Sequence, residues 1–277
     1  MRNKNLKTCA VINDLSGFGR CALNVTIPVM SAIGVRVLAV PTAVLSNHTG
    51  FSEYYFSDLT GGMREYFGAW EKLGLTYDGI YSGFLGSEEQ ADIIAEFIKK
   101  NRTENTYLFV DPAMGDDGKL YPTCTDGLVR KMRGLCATAD IITPNLTEAC
   151  FLAGADYEEM KSADVEKVSD LALHLTQLGA ARVIITGVYQ GDKVSNVVCD
   201  SVRGEIFTTS SKCVAGEFCG TGDLFASILF GESLKGKSLR CAVRAASNVV
   251  SRAAKFSDEL GVSKTDGIAF EPFLKSL

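Results

Sequence analysis

The chain is predicted to fold as an α/β protein: a doubly wound, mostly parallel sheet with helices on both faces and a small antiparallel hairpin at its edge. Three observations predict it. Short apolar runs such as residues 8–13 read as buried strands, and amphipathic stretches such as residues 88–100 read as helices. The two kinds alternate along the chain, the order that builds a parallel sheet covered on both faces. No linker, low-complexity tract or repeat interrupts them, so residues 1–277 are expected to form a single domain.

Taken in order, the strand at 8–13 is followed by a glycine-bearing turn over 14–19. Leu23, Ile27, Met30 and Ile33 then fall at helical spacing and mark a helix closed by Gly34. Residues 35–45 form a second strand broken by Pro41, which has no N–H for the ladder. A helix over 60–73 leads to the strand Gly79–Ser82, and the helix over 88–100 leads to the strand Tyr107–Val110, ending in Asp111-Pro112. A helix over 128–137 precedes a strand at 141–143, stopped by Pro144. Helices at 147–153 and 165–178 follow, the second closed by Gly179. Residues 183–186 are a sixth strand, and 194–198 with 205–208 form an antiparallel pair. Helices over 221–230 and 239–256 finish the chain, the first burying one face through Leu224, Phe225, Ile228 and Leu229.

Composition bounds the function. The 277 residues suffice for a substantial core, and 46% hydrophobic with 22% charged residues is ordinary for a globular protein. A net charge of −5 without a dense Lys/Arg stripe argues against a nucleic-acid surface. Nine cysteines, an odd number with no CxxC pair, read as reduced thiols, several of them (Cys150, Cys199, Cys241) in apolar surroundings. The N-terminus enters a strand-like run with no signal-peptide core, and no apolar run has the roughly 18 residues of a membrane span. A cytoplasmic protein that binds neither membrane nor nucleic acid is expected.

The stretch over 215–230, AGEFCGTGDLFASILF, organises the chemistry. Gly220, Thr221 and Gly222 open a helix whose free N–H groups and dipole make an anion site. A carboxylate in its first turn, Asp223, would repel a phosphate if binding were the loop's only task. It suits a base that takes a proton from a hydroxyl attacking phosphorus, although a first-turn acid also simply favours a helix. Ligands of doubly wound sheets lie beyond the strands' carboxyl ends, so polar residues just after strands are the other candidates. These are Asn13 and Asp14, residues 46–49, Asp111, Asn145 with Glu148, and Thr186. Asn145 and Glu148, three apart, share one side of a helix start, and together with Asp111 they suit a magnesium ion bridged to phosphates. Taken singly, Asp111 reads as a turn cap before proline and Glu148 as a first-turn helix acid.

Two motifs are set aside. Residues 231–238, GESLKGKS, match the P-loop pattern letter for letter, but helix rather than strand precedes them, so they read as a helix–helix turn. Gly17 to Ala22 fits GxGxxA, but residues 13–16 separate the strand from its first glycine. Pro41 and Thr42 stand where a ribose-binding acid would close the second strand, leaving a tight turn that lines the site.

SNHTGF (46–51), YSGFLGS (81–87), DPAMGD (111–116), ITPNLTEA (142–149) and GTGDLFA (220–226) resemble, in this order, the signature segments of the ribokinase superfamily and within it the pyridoxal kinase group. The resemblance covers nearly the whole chain. It implies transfer of the ATP γ-phosphoryl group to the 5′-hydroxymethyl group of a vitamin B6 vitamer. Asp223 would be the general base, with the Gly220 and Gly222 amides stabilising charge on the transferring group. Asp111 and Glu148 would organise magnesium together with Asn145 at the phosphates, and Thr186 and Thr221 would touch ATP. Asn13, Asp14, His48, Thr49 and Tyr121 would line the substrate pocket, while the second histidine, His174, reads as structural. ATP and Mg2+ are the implied cofactors, a monovalent cation is a further candidate, and a homodimer is the implied assembly. At the N-terminus the chain departs from the pattern. Asn13-Asp14 replaces the serine–histidine pair of many pyridoxal kinases, and residues 14–19 look more like hydroxymethylpyrimidine kinases, which typically carry a cysteine where Asp223 stands. A hydroxymethylpyrimidine or dual-substrate kinase is therefore the alternative; a sugar kinase or a non-catalytic B6-binding protein fits the segments less well.

Overall fold

Strand β1 (Lys7–Phe18) carries Cys9, Ala10, Val11 and Ile12 with no exposed surface, so its side chains must be covered from both faces of a sheet. The computed structural model describes residues 6–213 and 218–277 and shows how this is done. After β1 come α1 (Leu23–Ile33), β2 (Val35–Asn47), β3 (Phe56–Asp58), α2 (Thr60–Lys72), β4 (Gly79–Ser82), α3 (Glu88–Asn101) and β5 (Tyr107–Val110). A short hairpin, β6 (Gly115–Asp116) and β7 (Lys119–Leu120), leads to α4 (Asp126–Cys136), β8 (Ile141–Ile142), α5 (Leu146–Ala153), α6 (Tyr157–Lys161) and α7 (Val165–Gln177). Then follow β9 (Arg182–Gln190), β10 (Lys193–Asp200), β11 (Glu205–Lys212), α8 (Thr221–Leu234), α9 (Leu239–Glu259) and a closing 3₁₀ turn at Glu271–Ser276.

The strands form a nine-stranded sheet in the order β11-β10-β9-β8-β5-β4-β1-β2-β3. Strands β2, β1, β4, β5, β8 and β9 pair in parallel, while β10, β11 and β3 are antiparallel additions at the two edges. The doubly wound, mostly parallel sheet with an antiparallel edge hairpin is thus present. Adjacent residues of each buried strand serve opposite cores. Ala10, Ile12, Ile80, Leu108 and Val110 meet the helices α2 to α7, and Cys9, Val11, Tyr81 and Phe109 meet α1, α8 and α9. The chain turns to β2 on one side of β1 and to β4 on the other, which opens a crevice at the strands' carboxyl ends.

Four expectations are corrected by this structure. Residues 14–18 are not a turn: β1 runs on to Phe18 beside β2, with a register shift between Asn13 and Leu15 that absorbs Asp14. Pro41 does not break β2, because it stands opposite Asn13 at that same irregularity, where a missing N–H costs no regular ladder bond. Helix α8 is buried from Leu224 to Glu232 rather than along one face, since it is packed between α1 and α9. Small residues permit this: Ser227 Oγ donates to Thr26 Oγ1 at 3.1 Å, and a Cβ on Gly231 would press on Ile33. Cys241 is exposed near the start of α9. The P-loop-like residues are a helix–helix turn as expected. Gly231 to Leu234 end α8, Ser238 caps α9, and Lys237 pairs with Glu232 at 2.8 Å.

Candidate functional site

A cavity of about 610 Å³ opens at the carboxyl ends of the strands, roofed by the head of α8 and one face of α9. Asn13, Asp14, His48, Thr49, Asp111, Tyr121, Asn145, Glu148, Thr186 and the run Gly220 to Asp223 line it, whereas Ser46 and Asn47, bonded to each other and to the Glu53 carbonyl, and the glycines Gly17 and Gly19 do not. Residues 215–217, the start of the organising stretch, lie outside the described residues.

The head of α8 has no side-chain cap. Gly220 fills the position in a left-handed conformation (φ 76°), and a Cβ there would lie 1.7 Å from the Arg20 carbonyl oxygen. Only glycine lets this backbone lie against β1's continuation, and Gly220 to Asp223 line the cavity at the start of the helix. The Thr221 hydroxyl is spent on the Phe218 carbonyl at 2.7 Å. Asp223 accepts a hydrogen bond from the Ala22 N–H, and Asn13 Nδ2 approaches its Oδ1 at 3.5 Å. Burial drives the Asp223 carboxyl well above the ordinary carboxylate range, and the charges of Asp111 and Asp14 add to the rise. A carboxyl held up in this way binds a proton more tightly than a free carboxylate, which is what a general base at this position requires.

The opposite wall carries the second acidic group. Asp111 Oδ1 accepts from the Thr143 hydroxyl at 2.9 Å and Oδ2 from the buried Tyr81 hydroxyl at 3.3 Å, while burial raises its carboxyl to about 6. Glu148 and Asn145 form a reciprocal capping box at the start of α5. Asn145 Oδ1 accepts from the Glu148 N–H and its Nδ2 donates to the Gly115 carbonyl, so both ends of the amide are engaged. Glu148 accepts from the N–H groups of Met114 and Asn145, yet burial and the nearby Asp111 charge still hold its carboxyl well above the ordinary range. Glu148 thus caps its own helix while its side chain lines the cavity. Two carboxyls within each other's field form a hard-oxygen donor set fit for Mg2+, which binds through few protein oxygens and several waters. Among the described residues no group of three or more His, Cys, Asp or Glu side chains could itself hold a metal ion.

The N-terminal wall is tied together tightly. Asn13 is buried, and its Oδ1 accepts from the N–H groups of Asp14 and Phe84 at 3.0 and 2.8 Å. Asp14 Oδ2 accepts from the Ser16 hydroxyl at 3.0 Å, and burial lifts its carboxyl to about 6. His48 Nε2 donates to the Thr265 carbonyl at 2.7 Å and Nδ1 accepts from the Gly50 N–H at 3.1 Å, which sets the tautomer. A hydrogen bond with Cys219 raises the His48 pKa, against the lowering effect of burial. The Tyr121 hydroxyl, buried near Glu148 and Asp116, is pushed well above the usual phenol value.

Several lining residues were missed in the sequence. Ser247, Val250, Ser251 and Ala254 put one face of α9 on the cavity, at a 3–4 spacing that does not by itself distinguish a lining stripe from ordinary core. Lys212 and Lys264 bring positive charge to the rim, and Cys21 and Cys219 meet across it. Nothing local marks these four.

Comparison with known proteins agrees with this geometry. The phosphomethylpyrimidine kinase family model matches residues 28–268. A Bacteroides thetaiotaomicron structure assigned to the phosphomethylpyrimidine kinases superposes with a TM-score of 0.95 at 34% identity, covering 100% of this chain and 95% of that one. A second crystal form of that protein contains pyridoxal. The pyridoxal kinase of Lactobacillus plantarum superposes with a TM-score of 0.88 at 28% identity over 98% and 96% of the two chains. The Bordetella avium pyridoxine/pyridoxal/pyridoxamine kinase is 30% identical over 256 residues, 85% of this chain and 80% of the relative. With the uncapped helix head, its adjacent acid and the full-length likeness all agreeing, the chain belongs to the phosphomethylpyrimidine kinase family.

Proposed function

We propose that this kinase transfers the γ-phosphoryl group of ATP to the 5′-hydroxymethyl group of a B6 vitamer (pyridoxal, pyridoxamine or pyridoxine), releasing the 5′-phosphate and ADP. The observation that carries the reading is Asp223: a buried carboxyl of raised pKa, in the first turn of an uncapped helix head, inside the cavity. The substrate hydroxyl donates to Asp223 and loses its proton there as its oxygen attacks the γ-phosphorus. The N–H groups of Gly220 and Gly222 take up charge on the transferring oxygens. Thr186, Thr221 and Asn145 form the ATP side. The last two have committed their side chains to the fold, so they contribute position and backbone groups rather than free hydroxyl or amide. Asp111 and Glu148 would hold Mg2+ largely through water, and the ion would neutralise phosphate charge.

Asn13, Asp14, His48, Thr49 and Tyr121 form the vitamer side. Asn13 has its Oδ1 taken by two backbone N–H groups and its Nδ2 turned to Asp223, so it shapes that wall and steadies Asp223, while Asp14 and His48 present polar atoms to the ring. The pyridoxal complex of the Bacteroides protein and the pyridoxal kinases among the relatives support the B6 reading. The family's own name supports the second reading, a hydroxymethylpyrimidine kinase or one enzyme serving both substrates. Turnover with ATP and Mg2+, measured side by side on the three vitamers and hydroxymethylpyrimidine, decides between them. Transfer to none of the vitamers would overturn the proposal. The chain acts as one domain in the cytoplasm, and exposed Phe18, Val44 and Tyr55 near the β1–β3 edge support its homodimeric assembly. Among the described residues, no helix is long and apolar enough to cross a membrane.

A further inference from the structure

Two thiols face each other where the catalytic loop meets the first helix. Cys219 immediately precedes Gly220, and Cys21 immediately precedes Ala22, the residue that caps α1. The backbone holds them there. The Cys219 N–H donates to the Lys264 carbonyl at 2.9 Å, its carbonyl accepts from Ile268 at 3.0 Å, and the Arg20 N–H donates to Asp266 at 3.1 Å. Residues 264–268 thereby clamp both segments, and the Gly220 backbone lies so close that a Cβ there would stand 3.4 Å from the Cys21 Cα. The Cys21 S–H donates to the Cys219 sulfur, and His48 hydrogen-bonds that sulfur as well. Both thiols line the open cavity. The bond from Cys21 and the neighbouring imidazole hold the Cys219 thiol below its ordinary range, whereas burial raises the thiols of Cys9, Cys124, Cys136 and Cys150. One cysteine is disposed to attack and its hydrogen-bonded neighbour to resolve.

We propose that Cys21 and Cys219 form a reversible, peroxide-driven disulfide that switches the kinase off by displacing the loop before Asp223. The Cys219 thiolate attacks one oxygen of hydrogen peroxide; the O–O bond breaks, a sulfenic acid forms, and the departing hydroxide takes a proton to become water. The Cys21 sulfur, losing its proton, then attacks the sulfenic sulfur; the S–S bond forms, the S–O bond breaks, and a second water leaves. Two thiols lose two electrons in total and one peroxide becomes two waters. A disulfide requires about 2.05 Å between sulfurs, much less than a thiol hydrogen bond, so Cys219 must move toward α1. The Gly220 N–H moves with it, and a misplacement near 1 Å at such a site costs about 100-fold in rate. A dithiol reductant reverses the change.

The test uses the reduced full chain treated with a small excess of hydrogen peroxide, alkylated, and digested without reduction. A peptide joining Cys21 to Cys219 is expected, with turnover reduced by about tenfold or more and restored by dithiothreitol. In Cys21→Ser the cross-link is absent, and Cys219 proceeds to a sulfinic acid that dithiothreitol does not rescue. Cys219→Ser, compared with its own untreated activity, resists peroxide. Cys219 oxidation in the wild type without the joined peptide would overturn the dithiol. A joined peptide in an enzyme that keeps more than half its turnover would overturn the switch. The joined peptide is read by mass alone, so the dithiol is decided independently of which substrate the kinase phosphorylates.

Discussion

Replacing Gly220 with alanine separates backbone geometry from side-chain chemistry in the loop that precedes Asp223. The added Cβ would lie 1.7 Å from the Arg20 carbonyl oxygen, about 1.3 Å inside the 3.0 Å below which such contacts essentially never occur. The obstacle is backbone on both sides, so no flexible side chain can move away. The residue also sits at φ 76°, which costs an L-residue about 1–2 kcal/mol. Overpacking typically adds about 1–3 kcal/mol, giving an expected destabilisation of about 2–5 kcal/mol by chemical denaturation. Relieving the clash shifts the head of α8 by roughly an ångström, so turnover should fall about 100-fold even in fully folded protein. Gly222→Ala is the control, two residues on. Its Cβ meets nothing within 4 Å and its φ is not left-handed, so stability should hold or rise by up to about 1 kcal/mol from improved helix propensity. The reasoning is refuted if Gly220→Ala unfolds within about 0.5 kcal/mol of wild type and turns over within about threefold of it.

Four further outcomes follow. Asp223→Asn should lose about 10²–10⁴-fold in phosphoryl transfer while calorimetric binding of ATP and vitamer persists; turnover above half of wild type would remove Asp223 as base. Lys237→Ala should leave turnover nearly unchanged, because Lys237 pairs with Glu232 in a helix–helix turn away from the cavity, and a large loss in folded protein would contradict this. Asp111 is held at about 6 in the folded protein, above its unfolded value, so its stabilising effect is complete below the unfolded value and is lost as pH rises through about 6. Asp111→Asn should therefore be the more stable protein in metal-free buffer near pH 7.5, by on the order of 1–2 kcal/mol, with the advantage gone near pH 4; a pH-independent difference would refute it. Asp14→Asn should keep the Ser16 hydrogen bond but lose the charge that would attract a pyridoxamine ammonium, lowering kcat/KM for pyridoxamine about tenfold relative to pyridoxal. An unchanged ratio would leave Asp14 as a partner of Ser16 alone.

Much of this protein was legible in the chain itself because it is written locally. Strands β4 and β5 and the start of α1 follow directly from apolar runs and periodicity, and the caps of α3, α5 and α7 are side chains bonded to amides three residues on. The candidate site was legible for a related reason. Doubly wound sheets gather the residues after their strands at one end, so polar residues at those positions converge whatever their separation in sequence. Only the tertiary structure decided the rest. Whether residues 14–18 turn or continue as strand depended on β2 lying alongside with a shifted register. The raised proton affinities of Asp223, Glu148 and Asp111 come chiefly from burial, which no spacing encodes. Asn13 and Asp223 stand 210 residues apart yet approach within 3.5 Å, and Cys21 meets Cys219 through the clamp of 264–268. Propensity and capping act over a few residues and can be read along the chain. Electrostatic environment and through-space partnership depend on sheet order and packing, and exist only once the chain has folded.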